Sequence, residues 1–109
     1  MRKLKFVVDD LTLKQDRTCS FNGLFPGPDQ WIEAEFTFSK DWEGVPRVAA
    51  FYSMLDKEYP PQIIGEDNRC MIPSEALQLP AFKMQILGNN RGRIITTNTM
   101  IVYQKGGRK

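Results

Sequence analysis

The sequence predicts an all-β fold, a β-sandwich or a small barrel of about seven to nine short strands. Apolar and polar residues alternate with period 2 over several short segments, which is typical of strands with one buried face. Turn-forming residues recur about every 8 to 12 positions, and no long segment has the periodicity of a helix. Together these patterns favour a compact domain built from strands and turns.

Composition indicates one globular domain. The chain has 109 residues, of which 41% are hydrophobic and 26% are charged, as in ordinary globular proteins. Its apolar runs are far shorter than the roughly 20 residues that span a bilayer, and no apolar run follows the basic start at Met1. We therefore expect a single domain over residues 1–104, a disordered polar tail over 105–109, no membrane insertion and no signal peptide.

Catalysis is not expected. The chain contains no histidine, which removes the commonest general base and metal ligand. The acid pairs Glu33 with Glu35 and Asp41 with Glu43 resemble paired catalytic carboxylates, but Glu33 and Glu35 are already explained as the polar face of an amphipathic strand. We predict that the protein is not an enzyme and has no catalytic residues, no metal and no cofactor.

The two cysteines, Cys19 and Cys70, cannot form a zinc site unaided. Reduced, small core side chains are the expectation for a chain made in a bacterial-type cytosol. A disulfide is also geometrically feasible, and the sequence leaves open whether the two residues are paired.

The best patterned segment is residues 31–53, which predicts two strands that form a central β-hairpin. In the first strand, four apolar residues alternate with polar ones, and we expect them to face the core: Ile32, Ala34, Phe36 and Phe38. The polar stretch 39–44 predicts the turn, in which Gly44 is free to adopt positive φ. Trp42 is too large to remain in water, so we predict that it folds back and caps the core.

The other elements follow from the same signals. Phe21, Leu24 and Phe25 lie in a long connection and are predicted to pack over the sandwich. Ser74 is the expected N-cap of one short helical turn near residues 74–78. Further strands are predicted at residues 3–9, 11–14, 69–72 and 82–87, and an edge strand is predicted after Pro60-Pro61. The strand at 82–87 is followed by a predicted hairpin turn over 88–93 and by a return strand with a bulge at Asn98.

Charge is distributed unevenly along the chain. Residues 81–109 contain six basic and no acidic side chains, whereas residues 27–80 contain ten acids and four bases. The simpler interpretation is that both regions form solvated faces. The alternative is a basic edge for an acidic partner or for nucleic acid. Phe82 could stack on a base, but it shares a strand face with Met84 and Ile86, which favours a place in the core.

Several short motifs, in this order and spacing, resemble a small β-sandwich module of tail and baseplate-associated structural proteins of tailed phages and prophages of Gram-positive bacteria. The likeness covers about residues 31–103 and rests on FTFSKDWEG (36–44), AxF (49–51), EYP (58–60), CMIPSEAL (70–77), FKMQILG (82–88) and ITTN (95–98). The resemblance implies an immunoglobulin-like two-sheet antiparallel sandwich that assembles with other virion proteins and catalyses nothing. It implies no ligand residues.

On this basis we expect a tail-region structural component, located in the virion after assembly in the bacterial cytoplasm, whose partners are other virion proteins and which could self-associate. The alternative is a phage-encoded inhibitor of a host defence or nucleic-acid-handling protein, which would use the acidic middle of the chain as a DNA-like surface or the basic hairpin as a docking edge. A nucleic-acid-binding β-domain is a third, less favoured hypothesis. The candidate partner contacts are Trp42, the acidic residues Glu33, Glu35, Asp41 and Glu43, and the basic hairpin tip Asn89, Asn90, Arg91 and Arg93.

Overall fold

The computed structural model describes residues 2–27 and 31–104, which form two β-sheets packed face to face. This architecture confirms the predicted all-β sandwich; the predicted tail at 105–109 lies outside the described residues. The strands are β1 (Arg2–Asp9), β2 (Thr12–Gln15), β3 (Ile32–Phe38), β4 (Arg47–Tyr52), β5 (Gln62–Ile64), β6 (Arg69–Met71), β7 (Ala81–Asn90), β8 (Arg93–Thr96) and β9 (Met100–Tyr103).

The two sheets differ in their pairing. The first sheet has the order β2-β1-β3-β6, and the second has the order β5-β4-β7-β8, with β9 also pairing β7. All pairs are antiparallel except β1 with β3, which is parallel over seven residue pairs. β2 runs antiparallel to β1 and returns the chain toward the start of β1, so that β3, on the other side of β1, begins opposite Arg2 and runs parallel to β1.

The prediction of a central hairpin over residues 31–53 is wrong. β3 pairs β1 and β6 in the first sheet, whereas β4 pairs β5 and β7 in the second. The connection, with a 3₁₀ turn at Lys40–Trp42 and Gly44 at φ +74°, crosses from one sheet to the other. Alternation shows that each strand has one buried face, but it does not distinguish neighbours in one sheet from strands that face each other across the core.

The core lies between the sheets and contains the residues that alternation placed inward. Phe6 is central, since its ring stacks on Phe36 at 5.4 Å and meets the edge of Phe21 at the same centroid distance. Phe38 is partly buried and packs against this core. Fully buried inward positions include Leu4, Val8, Ile32, Ala34, Ala49, Phe51, Phe82, Met84 and Ile86.

Trp42 closes one end of this core, as predicted, and is only 1% exposed. Its indole Nε1 donates a hydrogen bond to the Asp10 carbonyl at 2.7 Å, and its ring lies 5.5 Å from that of Phe38. The ring also rests on Gly88 of β7, where a Cβ would come within 2.6 Å of Trp42 Cζ3. A side chain at position 88 would therefore displace the tryptophan.

Arg47 bonds the connection between β3 and β4 (residues 39–46), which we call the crossover, to the second sheet. Its guanidinium donates to the carbonyls of Trp42 (2.7 Å) and Val45 (3.1 Å) and to the side-chain oxygen of Asn68, and it lies 4.1 Å from the centroid of the Phe38 ring. Burial lowers the pKa of Arg47, yet a guanidinium remains charged at neutral pH. One side chain thus joins the crossover, β3 and the turn between β5 and β6.

Most of the smaller elements agree with the sequence. β5 follows the two prolines and lies at a sheet edge, and Arg91 and Gly92 form the β7–β8 turn with φ of +56° and +85°. The helical turn α1 is present at Ser74–Leu77, but Pro73 occupies the N-cap position and no side chain caps the turn. The expected Ser74 cap is therefore wrong, because the residue is already inside the turn.

The predicted packing of the long connection holds for Leu24, which is buried, and for Phe21, which packs against the core. Phe25 is half exposed. The predicted bulge is confirmed: between the pairs Leu87↔Thr96 and Met84↔Met100, three residues including Asn98 face two residues of β7.

The two tryptophans provide a matched test of the closing role of Trp42. We expect Trp42→Ala to lower the free energy of unfolding by about 3 to 5 kcal/mol, the usual loss for a buried large aromatic. Trp31 is 70% exposed, so we expect Trp31→Ala to change stability by no more than about 0.5 kcal/mol. Urea unfolding followed by circular dichroism measures both, and equal losses would contradict the account.

Candidate protein-interaction surface

The outer face of the first sheet is a ladder of alternating charges. In the strand register, Glu33 lies opposite Lys3, and Glu35 lies between Lys5 and Arg69. Lys3 Nζ and Glu33 Oε1 are 4.0 Å apart. Opposite charges at adjacent cross-strand positions stabilise a sheet modestly and keep its surface hydrated. This face is suited to contact with water.

The predicted acidic surface is not formed. Glu33 and Glu35 are interleaved with basic side chains, whereas Asp41 and Glu43 lie in and just after the 3₁₀ turn at the end of the sandwich. The Asp41 carboxylate accepts a hydrogen bond from Ser39 Oγ at 3.2 Å. Because Lys3, Lys5 and Arg69 adjoin Glu33 and Glu35 in the register, these two acids are not part of a continuous anionic patch.

The basic hairpin tip lies at the same end of the sandwich as the crossover. Asn89 Oδ1 accepts the Gly92 N–H at 2.8 Å, which gives this asparagine a role in the turn itself. Arg91 and Arg93 are exposed and form no ion pair with any described carboxylate. Asn90 is also exposed and pairs Arg93 at the close of the hairpin.

Aromatic support for base stacking is missing near this tip. Phe82 is completely buried, as the sequence indicated, and Tyr103 pairs Ala81 at the opposite end of β7. Stacking platforms for single-stranded nucleic acid need exposed aromatic rings beside the basic side chains. The hairpin tip offers charge without such a ring. Trp42 is also withdrawn from the surface, so its role as a partner contact is not available in this fold.

The outer face of the second sheet is apolar, and we call it the apolar face. It comprises the outward side chains Val48, Ile63, Leu87, Ile94, Ile101 and Tyr103. Val48 lies between Ile63 and Leu87 in the register, so aliphatic side chains adjoin across three strands. Ile63 is 80% exposed, and Ile94 and Tyr103 are each 61% exposed.

Two polar side chains on this face, Gln85 and Lys83, have internal partners. Gln85 Nε2 donates to the Thr97 carbonyl at 2.9 Å, and Lys83 Nζ pairs with Asp56 Oδ1 at 2.8 Å. A partner that covers Gln85 leaves its internal hydrogen bond in place. The Asp56 carboxylate is 75% exposed, so a partner is expected to leave the Lys83–Asp56 pair at the edge of the contact, because burying an ion pair is costly. A partner would therefore bind this face mainly through shape complementarity and the burial of apolar side chains.

Sequence reasoning missed this face, although a signal for it exists. Ile63-Ile64 and Ile94-Ile95 are consecutive apolar pairs, and β4 reads RVAAFY with apolar residues in both phases. Successive side chains of a strand point to opposite faces, so such pairs place one apolar residue in the core and one outside. Because consecutive apolar pairs also occur in ordinary strand ends, the pattern alone does not distinguish an interaction face.

The described part of the chain contains no group of three metal-ligating side chains, and no helix there is long and apolar enough to span a membrane. Cys19 and Cys70 are both free thiols, which resolves the pairing that the sequence left open. No family model matches the chain, and no curated protein or solved structure shows significant similarity to it.

The two thiols should react very differently. Burial, together with the nearby charges of Glu33 and Asp67, raises the pKa of Cys70 to about 12, whereas Cys19 is half-buried beside the surface. At about pH 8 the reactive thiolate of Cys70 is a fraction on the order of 10⁻⁴. We expect a disulfide reagent such as Ellman's reagent to titrate one thiol in the native chain and two in denaturant. Cys19→Ser should abolish the native reaction, and two fast thiols or none would contradict the assignment.

Proposed function

We propose that this protein is a non-enzymatic structural component of a phage tail or baseplate, and that it binds another virion protein through the apolar face. The observation that carries the proposal is the contrast between the two outer surfaces. One sheet presents a charged ladder to solvent, and the other presents exposed aliphatic and aromatic side chains. Soluble monomers rarely expose contiguous apolar patches larger than a few hundred Å² unless the patch has a partner.

The apolar face can form the centre of such a contact. The five strands of this sheet contain 3, 6, 10, 4 and 4 residues, so at about 3.3 Å per residue and 4.8 Å between strands its outer face covers roughly 400 Å². Stable protein–protein interfaces bury about 800 Å² of each partner. Apolar burial contributes about 25 cal/mol per Å², so covering Ile63 and Ile94 alone removes a substantial hydration cost. A protein partner with an apolar surface of its own fits this face best.

The assignment to a virion rests on the resemblance of the motifs between residues 31 and 103 to tail and baseplate modules. In that setting, the protein would be made in the bacterial cytoplasm and incorporated into the particle. A repeated virion component often uses one interface in symmetric copies, so self-association through the same face belongs to the proposal as a variant. The partner is protein in either case.

The inhibitor and nucleic-acid hypotheses have less support. A DNA-like inhibitor needs a continuous acidic surface, but Glu33 and Glu35 alternate with Lys3, Lys5 and Arg69. A nucleic-acid domain needs stacking aromatics beside its basic tip, and Phe82 is buried. No observation in the described residues favours either hypothesis over a structural role.

Charged substitutions on the apolar face test the proposal. We expect the double variant Ile63→Glu/Ile94→Glu to fold, since both side chains point into solvent, and to be depleted at least tenfold from particles induced from a lysogen. The unmodified chain should be recovered at a fixed ratio to the tail proteins. Quantitative mass spectrometry of purified particles measures both.

Leu11→Glu serves as the matched control, because Leu11 is an exposed aliphatic residue in the turn between β1 and β2, away from the apolar face. It should leave incorporation unchanged. Absence of the unmodified chain from particles, or normal incorporation of the double variant, would overturn the proposal. Sedimentation of the purified chain and of the double variant shows whether a second copy occupies the face.

A further inference from the structure

The edges of β2 and β9 adjoin along a line that we call the seam. Hydrogen bonds join the two edges over one half of the seam, which is closed, and the other half, which is open, has none among the described residues. In the closed half, the Asn98 side chain accepts the Leu13 N–H at 2.7 Å and donates to the Leu13 carbonyl at 3.2 Å, while the Asn98 N–H donates to the Leu11 carbonyl. The bulge of the second sheet thus satisfies the outer edge of β2. The amide side chain takes the place of a neighbouring strand.

In the open half, some backbone groups of β9 have no partner among residues 2–27 and 31–104. The Gln104 N–H donates to the Pro80 carbonyl, which fixes the hydrogen-bonding phase of the β7–β9 pair. In an antiparallel pair, residues alternate between hydrogen-bonded and non-hydrogen-bonded positions, so the N–H and C=O groups of Ile101 and Tyr103 point away from β7. No hydrogen bond to another described residue involves these four groups.

A groove runs beside this free edge. It has a volume of about 540 Å³ and is walled on its far side by the segment from Gln15 to Asn22, with Phe21, Met100 and Val102 among its apolar lining. The far wall is fixed, because Arg2 donates to the carbonyls of Ser20 and Asn22 at 3.0 and 2.7 Å. An edge strand facing a walled groove has room for one extended segment rather than for a second complete sheet.

We propose that this groove binds an extended peptide segment of a partner protein, which adds as a strand to the free edge of β9. Main-chain bonds to Ile101 and Tyr103 supply the affinity, as in other recognition by strand addition. Alternate side chains of the segment face inward, toward Phe21, and outward, beside Ile101 and Tyr103. Arg17 lines the groove and no acid does, so the segment carries an acidic residue near this arginine.

This site shares Ile101 and Tyr103 with the apolar face but uses their backbone groups, so the two contacts differ in their chemistry. The apolar face binds through side chains, whereas the groove binds through backbone groups and needs a partner in β conformation. Protection of edges is a general requirement in β proteins, because unpaired edge groups recruit other strands. β5 follows Pro60-Pro61, and Asn98 satisfies the edge groups of Leu13 in β2, whereas Ile101 and Tyr103 of β9 lack such cover among the described residues and, unlike β8, face a groove.

A titration with a defined peptide tests the site on the purified chain, independently of any virion. The probe is an acetylated, amidated octapeptide of alternating valine and threonine with a glutamate at each end, added to about 5 mM. We expect saturable shifts in the ¹H–¹⁵N NMR spectrum at Ile101, Tyr103, Thr18 and Ser20. Hydrogen exchange at the Ile101 and Tyr103 amides should slow at least tenfold when the peptide is bound.

Proline variants distinguish peptide binding through main-chain hydrogen bonds from non-specific binding. Ile101→Pro removes an N–H that points away from β7, so we expect it to preserve the β7 ladder and to weaken peptide binding at least tenfold. Thr96→Pro is the matched control, since Thr96 has the same edge-facing phase on β8 and does not line the groove. It should bind the peptide like the unmodified chain. If Ile101→Pro does not fold, the exchange measurement on the unmodified chain decides.

Several outcomes would overturn the proposal. These are no saturable shift at Ile101 and Tyr103, unchanged binding by a folded Ile101→Pro variant, or shifts confined to Val48, Ile63, Leu87 and Ile94 with exchange at β9 unaltered. Protection of the β9 amides that rises with protein concentration in the absence of peptide would assign the edge to a second copy, and would also overturn it. None of these outcomes bears on the proposed contact at the apolar face.

Discussion

The contact between the Trp42 indole and Gly88 is the constraint on which the arrangement of the two sheets depends. The ring occupies the space that a side chain at position 88 would need, and its N–H bonds the Asp10 carbonyl at the end of β1. Arg47 then ties the carbonyl of Trp42 to the start of β4. The crossover therefore contacts the first sheet, the second sheet and the core at one point, while the burial patterns of β4 and β7 set which of their faces turns outward.

Two surfaces of different character follow from that placement. The first sheet exposes the Lys3–Glu33 and Lys5–Glu35 pairs, which interact well with water. The second sheet exposes Val48, Ile63, Leu87 and Ile94, which do not. The seam beside β9 adds a third surface, where backbone groups rather than side chains are unsatisfied. The apolar face and the free edge of β9 are the two surfaces on which the proposed protein contacts rest.

The sequence was sufficient to predict the strands and their inward residues, but it was insufficient to predict which strands pair with one another. Alternation identified the inward residues of β1, β3 and β7, and the size of Trp42 predicted its burial. The hairpin prediction failed because period-2 alternation is the same for two neighbours in one sheet and for two strands that face each other across a core. The residues of the apolar face were not predicted for a related reason. Ile63 and Ile94 differ from core isoleucines only in the side of the sheet to which they point, and that side depends on the strand register, which the sequence does not show. The acids were visible, but their neutralising partners, Lys3, Lys5 and Arg69, come from strands distant in sequence.

The most direct test of the central claim, that the outer face of the second sheet contacts a partner, is hydroxyl-radical footprinting with mass spectrometry of the free chain and of the chain in purified particles. We predict that oxidation of Ile63, Leu87, Ile94 and Tyr103 falls severalfold in the particle, while that of Met71 on the outer face of the first sheet and of Leu55 in the loop after β4 stays the same. Protection of the first sheet with an unprotected second sheet, or equal oxidation of both in free and assembled protein, would contradict the account.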